Sequence, residues 1–319
     1  MGIRMKSVLC AICLLVFYSG PTWADRPLSI ATAGTGGVYY PVGGGMAEII
    51  NDQVDGYTAS AEVTGGSVEN MGLIALGEAD LAFALSDTVQ QAYAGEGRFN
   101  GQRLGMLRTL VGLYDNLVQI VTLEKTEISS LTDLAGRRVS VGAPGSGTEV
   151  NARQVLNSAG LDFGSINVQR LNFNETADAL RNGDIDAGFW SVAAPTSSIL
   201  NLATNRSIRL IELSPAETEA SLAASSVFRE TTLPGGIYPG VEGPVRVLAV
   251  PNVLVVSADM PDELAYAIVR ALFSQSERLV AIHPSMKQMT RDYTVRSTPA
   301  PLHPGVARFL REAGIEVPA

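Results

Sequence analysis

The chain is poor in the residues that usually carry nucleophilic or metal chemistry. Its 319 residues include two cysteines and two histidines. His283 and His303 stand late in the sequence, each directly before a proline. Histidines there suit a helix end or turn better than a general base. No Cys/His/carboxylate cluster has metal-ligand spacing, so no metal and no cofactor is expected. A G-x-S-x-G nucleophile elbow is also missing. Basic charge is short as well: 23 Lys and Arg stand against 32 Asp and Glu, a net charge of −9. With no basic run, nucleic acid is excluded as a partner. The same field does not attract small anions, so any anionic ligand must be held by local dipoles.

Long hydrophobic runs are lacking too. Val8 to Tyr18 is uncharged and mostly apolar, but as a helix it would span only about 16 Å, roughly half a bilayer core. Arg4 and Lys6 precede it, Pro21 breaks it, and Thr22-Trp23-Ala24 puts small residues where a signal peptidase reads. Residues 1–24 therefore read as a cleaved secretory signal, and the mature chain, from Asp25, as periplasmic. The later apolar stretch Val245 to Ala258 is interrupted by Arg246, Pro251 and Asn252. Cys10 and Cys13 leave with the signal, and neither follows the apolar run as a lipid-attachment cysteine should. The mature chain enters an oxidising compartment without disulfides and must be held by its core. With Arg4 and Lys6 removed, 21 basic and 32 acidic residues leave a net charge of −11. About 295 residues fit two domains better than one.

Glycine is plentiful, at 32 residues, and is concentrated. The stretch "TAGTGGVYYPVGGG", Thr32 to Gly45, holds six in fourteen residues, between a strand pattern (Leu28–Ala33) and a helix pattern (Met46–Asn51). Gly43, Gly44 and Gly45 are expected within the helix, where they cost roughly 2–3 kcal/mol together against alanine. Strand and helix patterns alternate onward: strands at 58–63, 80–85, 117–123, 138–142, 168–171, 185–190 and 253–257, helices at 68–76, 88–94, 150–158, 176–182 and 262–282. The order reads as α/β with a largely parallel sheet.

A faint repeat links the two halves. "GEADLAF" (Gly77–Phe83) parallels "GDIDAGF" (Gly183–Phe189), and "SIATAGTGGVYYP" parallels "RVSVGAPGSGTEV". Each half offers a strand, a Gly-rich loop and a helix in the same order, so two similar lobes are expected. Ligands of open α/β sheets bind at the carboxyl ends of the strands. Both loops lie at such ends, as do Ser86-Asp87 and Ser191-Val192.

Neither loop suits a nucleotide. In Gly34-Thr35-Gly36-Gly37-Val38-Tyr39, Tyr39 stands where a dinucleotide fingerprint needs its third glycine. Gly142 to Thr148 has the outer spacing of a phosphate loop without the lysine. What remains is backbone chemistry. Gly36 and Gly37, and Gly145, Ser146 and Gly147, let a small anion approach main-chain N–H groups at a helix start, with the Ser146 and Thr148 hydroxyls as extra donors. Neither loop contains Arg or Lys, so a carboxylate held by backbone and hydroxyls is expected. Tyr39, Tyr40, Tyr114 and Trp190 fall at expected strand ends, where rings can wall a pocket.

Five blocks together resemble the TAXI family, the extracytoplasmic solute receptors of one class of TRAP transporter. They are "ATAGTGGVYYPVGGGMAEIIN", "EVTGGSVENMGLIALGEADLAFALSD", "LTDLAGRRVSVGAPGSGTEVNARQVL", "LPGGIYPG" and "VPNVLVVSADMPDELAYAIVRALF". The resemblance runs from about Leu28 to Met289. It implies a two-lobed, type II periplasmic-binding-protein fold, each lobe an open, mostly parallel sheet flanked by helices. It also implies capture of a glutamate-, glutamine- or 2-oxoglutarate-like acid by a monomer, and delivery to an ion-driven TRAP membrane permease. By position, the ligand contacts it implies are Thr35, Gly36, Gly37, Val38, Tyr39, Ser67, Asn70, Ser86, Asp87, Tyr114, Gly145, Ser146, Gly147 and Thr148, with Trp190 and Tyr238 in addition. Two departures from the family pattern stand out: Asp115-Asn116 where the family reads Pro-Glu, and Ile237 where it has threonine. Residues 25–114 and 251–319 would form lobe 1 and residues 115–250 lobe 2, with crossings near 114–118 and 247–252 as the hinge. An enzyme or a sensor on the same fold is the alternative; Asp87 beside Ser86 is its best support. Glu62 or Asp87 could receive an amino group, so amino acid and keto acid stay open.

Overall fold

A computed structural model describes residues 27–317; the signal segment read at residues 1–24 lies outside them. Ten strands form one mixed sheet: β1 (Leu28–Ala31), β2 (Ala59–Glu62), β3 (Leu81–Leu85), β4 (Leu107–Leu123), β5 (Arg138–Ser140), β6 (Asn167–Gln169), β7 (Ala187–Val192), β8 (Ile208–Leu210), β9 (Arg229–Leu233) and β10 (Val245–Ser257). The helices are α1 (Tyr39–Gln53), α2 (Ser67–Leu76), α3 (Ser86–Ala94), α4 (Gly147–Ser158), α5 (Phe173–Asn182), α6 (Ser197–Asn205), α7 (Pro215–Ala224), α8 (Asp262–Ser274), α9 (Ser276–Ile282), α10 (Arg291–Arg296) and α11 (Pro304–Glu312).

The strand order is β2-β1-β3-β10-β4-β7-β5-β6, with β8 on β4 and β9 on β10. Within each half the short strands run parallel: β2, β1 and β3 in one, β6, β5 and β7 in the other. Two long antiparallel strands, β4 and β10, belong to both halves. Residues 252–256 of β10 pair with β3, while residues 117–122 of β4 pair with β7. The two long strands pair with each other from Leu107 to Val118, with register shifts at Asn252/Val253 and Leu254/Val255.

Central strands buried on both faces read as unbroken apolar runs. β3, Leu-Ala-Phe-Ala-Leu, is buried at every position. Its side chains alternate between two clusters: Leu81 and Phe83 pack with α1 and α8, Ala82 and Ala84 with α2 and α3. β10 does the same, with Leu254 and Val256 on the first face and Val253 and Val255 on the second. In the other half, Val139, Val141 and Phe189 pack against Val155 and Leu156 of α4.

The sequence repeat has a structural cause. Asp80 Oδ2 accepts from the Ser29 amide of β1 at 2.9 Å, and Asp186 Oδ2 accepts from the Arg138 amide of β5 at 2.9 Å. Each aspartate pins the start of the strand beside it. Gly77 and Gly183, at φ 69° and 83°, end the preceding helices in the left-handed region that glycine adopts freely.

Several elements differ from the sequence reading. β4 begins ten residues before the expected Leu117, so Tyr114 lies mid-strand rather than at a strand end. β10 begins at Val245 rather than Val253. Segment 262–282 is two helices, broken at Gln275. α1 begins at Tyr39, seven residues before Met46, so Pro41 sits in its first turn and Gly43–Gly45 in its body. Both histidines work at turns: His303 Nδ1 accepts from the Gly305 amide at the start of α11, and His283 Nδ1 from the Ser285 amide.

The three glycines of α1 are not equivalent. A Cβ at Gly43 would lie 2.6 Å from Thr32 Cγ2 and 3.3 Å from Phe83, and one at Gly45 would strike Ile282. One at Gly44 meets nothing within 4 Å. Gly44→Ala is therefore expected to stabilise the protein by about 0.5–1 kcal/mol and Gly43→Ala to destabilise it by about 1–3 kcal/mol. Denaturant unfolding checks both; a stabilising Gly43→Ala would refute the packing argument.

Candidate functional site

The carboxyl ends of the parallel strands in both halves open onto one cavity of ≈ 50 Å³. After β1 come Ala33, Gly34, Gly37 and Val38, then Tyr39 as the first residue of α1. After β2 come Gly65, Gly66 and Ser67, which starts α2. Leu85 closes β3, and Asn116 reaches in from β4. From the other half come Ala143, then Ser146, Gly147 and Thr148 at the start of α4. Asn172 and Phe173 start α5, and Ser191 and Val192 end β7. Among the described residues no charged side chain lines it.

Helix starts converge here because each parallel strand hands over to a helix at the same edge of the sheet. The first N–H groups of a helix have no carbonyl four residues back inside it. Those of α1, α4 and α5 meet at the cavity wall, with the positive ends of three helix dipoles. Ser146 caps α4 by accepting from the Glu149 amide at 3.1 Å. Asn172 caps α5 by accepting from the Glu175 amide at 3.0 Å, while Glu175 Oε2 accepts from the Asn172 amide. Such a wall favours an anion and supplies donors to it, without any cationic side chain.

The polar lining has spare capacity. Asn116 Nδ2 donates to the Tyr39 hydroxyl at 3.3 Å, and Asn116 Oδ1 has no hydrogen-bond partner among the described residues. Ser191 Oγ has none either, while Thr148 Oγ1 accepts from the Ser191 amide at 3.4 Å. Burial pushes the Tyr39 phenol far above its ordinary range, and the Asp87 charge adds to the shift. Tyr39 is thus a neutral group at the cavity, its ring 4.9 Å from that of Phe83.

Of the residues singled out in the sequence, Gly37, Val38, Tyr39, Ser67, Ser146, Gly147 and Thr148 line the cavity together. The others lie away from it. Gly36 turns away: its carbonyl accepts from Thr196 Oγ1 at 3.2 Å, and Thr35 Oγ1 accepts from Asn174 at 3.4 Å. The Gly145 carbonyl accepts from the Val68 and Glu69 amides of α2 at 3.0 and 3.1 Å. All these contacts join one half of the sheet to the other. Asn70 is spent on the scaffold, its Nδ2 donating to Thr32 and Phe83 carbonyls at 2.7 and 2.8 Å. Ser86 Oγ does not face this cavity. Tyr114 is buried within β4, and its carbonyl accepts from Asn252 Nδ2. Trp190 stands behind Phe173, stacked at 6.1 Å, with Nε1 donating to Ser198. Tyr238 donates to Gln119 Oε1 at 2.7 Å and accepts from the Thr196 amide at 3.2 Å. It thereby holds the segment that contacts Gly36.

Asn116, Gly66, Asn172 and Phe173 also line the cavity, beyond the residues the sequence singles out. The sequence N-x-x-E at Asn172–Glu175 is a capping-box signal that would have marked a helix start after β6. Asn116 stands out in the sequence only as a departure from the family pattern. Among the described residues no group of three His, Cys, Asp or Glu is arranged to hold a metal.

Asp87 is buried outside the cavity, where its carboxylate accepts from the Thr88 amide and from Asn151 Nδ2 of α4, each at 2.7 Å. Its hydrogen bonds are thus with the scaffold, one of them across the two halves.

A cavity at facing strand ends, spanned by two shared antiparallel strands, defines the fold of periplasmic solute-binding proteins. The chain belongs to the NMT1-like family, whose model matches residues 30–314. A protein of Bordetella bronchiseptica RB50 has a similar structure, with TM-score 0.56 and 15% identity over 92% of this chain and 100% of that one. The binding component of an ABC phosphonate transporter from Pseudomonas aeruginosa gives TM-score 0.56 and 10% identity, over 81% and 78% of the two chains. PhnD1 of Prochlorococcus marinus, solved with methylphosphonate, gives 0.53 and 12%, over 90% and 98%.

Burial raises the Asp87 carboxyl to about 6, against the opposing hydrogen bonds from Thr88 and Asn151. A carboxyl raised on folding makes the folded state bind more protons than the unfolded state, so stability falls as pH rises between about 4 and 6. Asp87→Asn is expected to remove that decline. The check is unfolding free energy against pH for both proteins; identical slopes would refute the assignment.

Proposed function

We propose that this chain is an extracytoplasmic solute receptor that closes two lobes on one small organic acid or amino acid. Residues 25–114 and 251–319 form one lobe and residues 115–250 the other, with β4 and β10 as the hinge. The single observation that supports an anionic ligand is the cavity itself: helix starts from both halves meet there, and no charged side chain does. A carboxylate fits the amides at Gly147, Thr148 and Gly37 through charge-assisted hydrogen bonds. A donor on the same ligand, such as an amino group, fits Asn116 Oδ1. A glutamate-, glutamine- or 2-oxoglutarate-like acid combines these features.

The transport partner follows from the sequence resemblance, which favours the membrane subunits of a TRAP permease. The receptor works as a monomer whose closed surface the permease reads, because a ligand that contacts both lobes only when closed shifts the population to that state. A second reading, an ABC permease and a phosphonate-like oxyanion, is favoured by the structural neighbours just described. The same helix starts would serve either anion.

Gly147 provides the sharpest test of closure. A Cβ there would lie 2.6 Å from Leu85 Cδ1 and 2.7 Å from Ser67 Oγ, both on the opposite lobe. Gly147→Ala is therefore expected to fold normally but to bind at least about tenfold more weakly, a loss of ~1.4 kcal/mol. Native mass spectrometry identifies the co-purified ligand. Titration with glutamate, glutamine, 2-oxoglutarate and methylphosphonate ranks the classes, and small-angle scattering follows compaction. Binding that leaves the scattering profile unchanged, or a Gly147→Ala variant of full affinity, would overturn the closure reading. Tightest binding of methylphosphonate would replace the carboxylate by the second reading.

A further inference from the structure

A second pocket, of ≈ 180 Å³, lies at the crossing of the two halves and apart from the cavity. Ser86 and Gln90 of α3 line one side of it. Ser226, Val227 and Arg229 line it from the other half, with Pro251 of β10, Arg296 at the end of α10, and Ser297 to Pro299. Pro251 is paired with Asp115 in the β10–β4 ladder, so the pocket sits on the crossing itself.

The charged side chains that line it, Arg229 and Arg296, are both cationic. Ser86 is the first residue of the nine-residue helix α3. Its side chain is buried, and Oγ has no hydrogen-bond partner among the described residues. Ser297 is buried too; its Oγ lies near the Tyr293 hydroxyl but forms no hydrogen bond of good geometry among the described residues. Two hydroxyls left in this state call for a ligand that accepts from both. Two guanidinium groups flank them. Arg296 makes no ion pair among the described residues, and Arg229 makes one loose contact, 3.7 Å from Asp115 Oδ1. That same Asp115 oxygen already accepts from the Tyr293 hydroxyl at 2.6 Å. In a chain of net charge −9, an unpaired arginine beside a second arginine, a helix start and two unpartnered buried hydroxyls is a cluster of donors without its anion.

We propose that this pocket binds a small tetrahedral oxyanion, sulfate or phosphate, at the hinge. Arg229 and Arg296 supply the charge, and Ser86 and Ser297 donate their hydroxyl hydrogens to its oxygens. Arg229 comes from one half of the sheet, and Ser86, Arg296 and Ser297 from the other. An anion bridging them favours the arrangement of the halves seen here, whatever occupies the cavity. The site therefore adds a response to the ionic medium to a receptor whose main ligand binds elsewhere.

Soaking crystals of the protein in selenate and recording its anomalous signal tests the location. Titrating the purified protein with sodium sulfate, against sodium chloride at matched ionic strength, tests the affinity through the thermal midpoint. The expected result is anomalous density between Arg296 and Ser297, with a saturable rise in midpoint for sulfate beyond that for chloride. Arg296→Gln and Ser297→Ala should each weaken the sulfate response by about tenfold or more. Thr148→Val, which alters the cavity, should leave it intact. Equal responses to sulfate and chloride, a full response in Arg296→Gln, or a response lost only in Thr148→Val would overturn the proposal.

Discussion

Everything in this molecule turns on where parallel strands end. A parallel strand must be followed by a crossover, here short enough that a helix begins within a few residues. All the helices after the short strands of one half therefore start at one edge of its sheet. Two such halves joined by β4 and β10 set those edges against each other. The result is a small space walled by backbone N–H groups that no carbonyl of their own helices can reach. The positive end of each helix dipole adds roughly 0.3–1 kcal/mol, and up to ~2 when partly buried. A protein of net charge −9 can therefore hold an anion without presenting one lysine or arginine to it.

The loops that frame this space also lock the two halves together. The Gly145 carbonyl takes the first amides of α2, Thr196 and Ser197 reach the Gly36 carbonyl, and Asn151 reaches Asp87. Glycine at 36, 65 and 147 is required by approach rather than by turn geometry, since a Cβ at each would strike the opposite half. In the proposed closure, ligand binding and contact between the halves would draw on the same few residues. The register shifts beside Asn252 lie where the two long strands pass from one half to the other. The proposed hinge would twist there while the ladders on either side stay intact.

Much of this was legible in the residues. The paired motifs around Asp80 and Asp186 announced two equivalent half-sheets, and the structure gives the reason: each aspartate receives an amide at the start of its neighbouring strand, from Ser29 in β1 and Arg138 in β5. The Gly-rich loops announced two helix starts at strand ends. Other features were hidden because tertiary packing decided them. Segment 107–116 mixes Arg108, Thr109, Gly112 and Asp115 into an apolar run, and it becomes strand only because β10 lies alongside. Three glycines and a proline obscured the first turns of α1, whose helix is held by tertiary packing rather than propensity. Gly36 and Gly37 are adjacent and chemically alike, and no local rule says which faces inward. Asn116 and Phe173 reach the cavity through strand register and a capping box, neither of which shows as a glycine loop.

The most direct measurement is the position of the ligand's acidic group in a crystal of the complex with its co-purified acid. Its oxygens should lie within hydrogen-bonding reach of the Gly147 and Thr148 amides at the start of α4. An acidic group paired instead with an arginine or lysine side chain, or lying outside the space between the two halves, would contradict the dipole-held anion on which the whole reading rests.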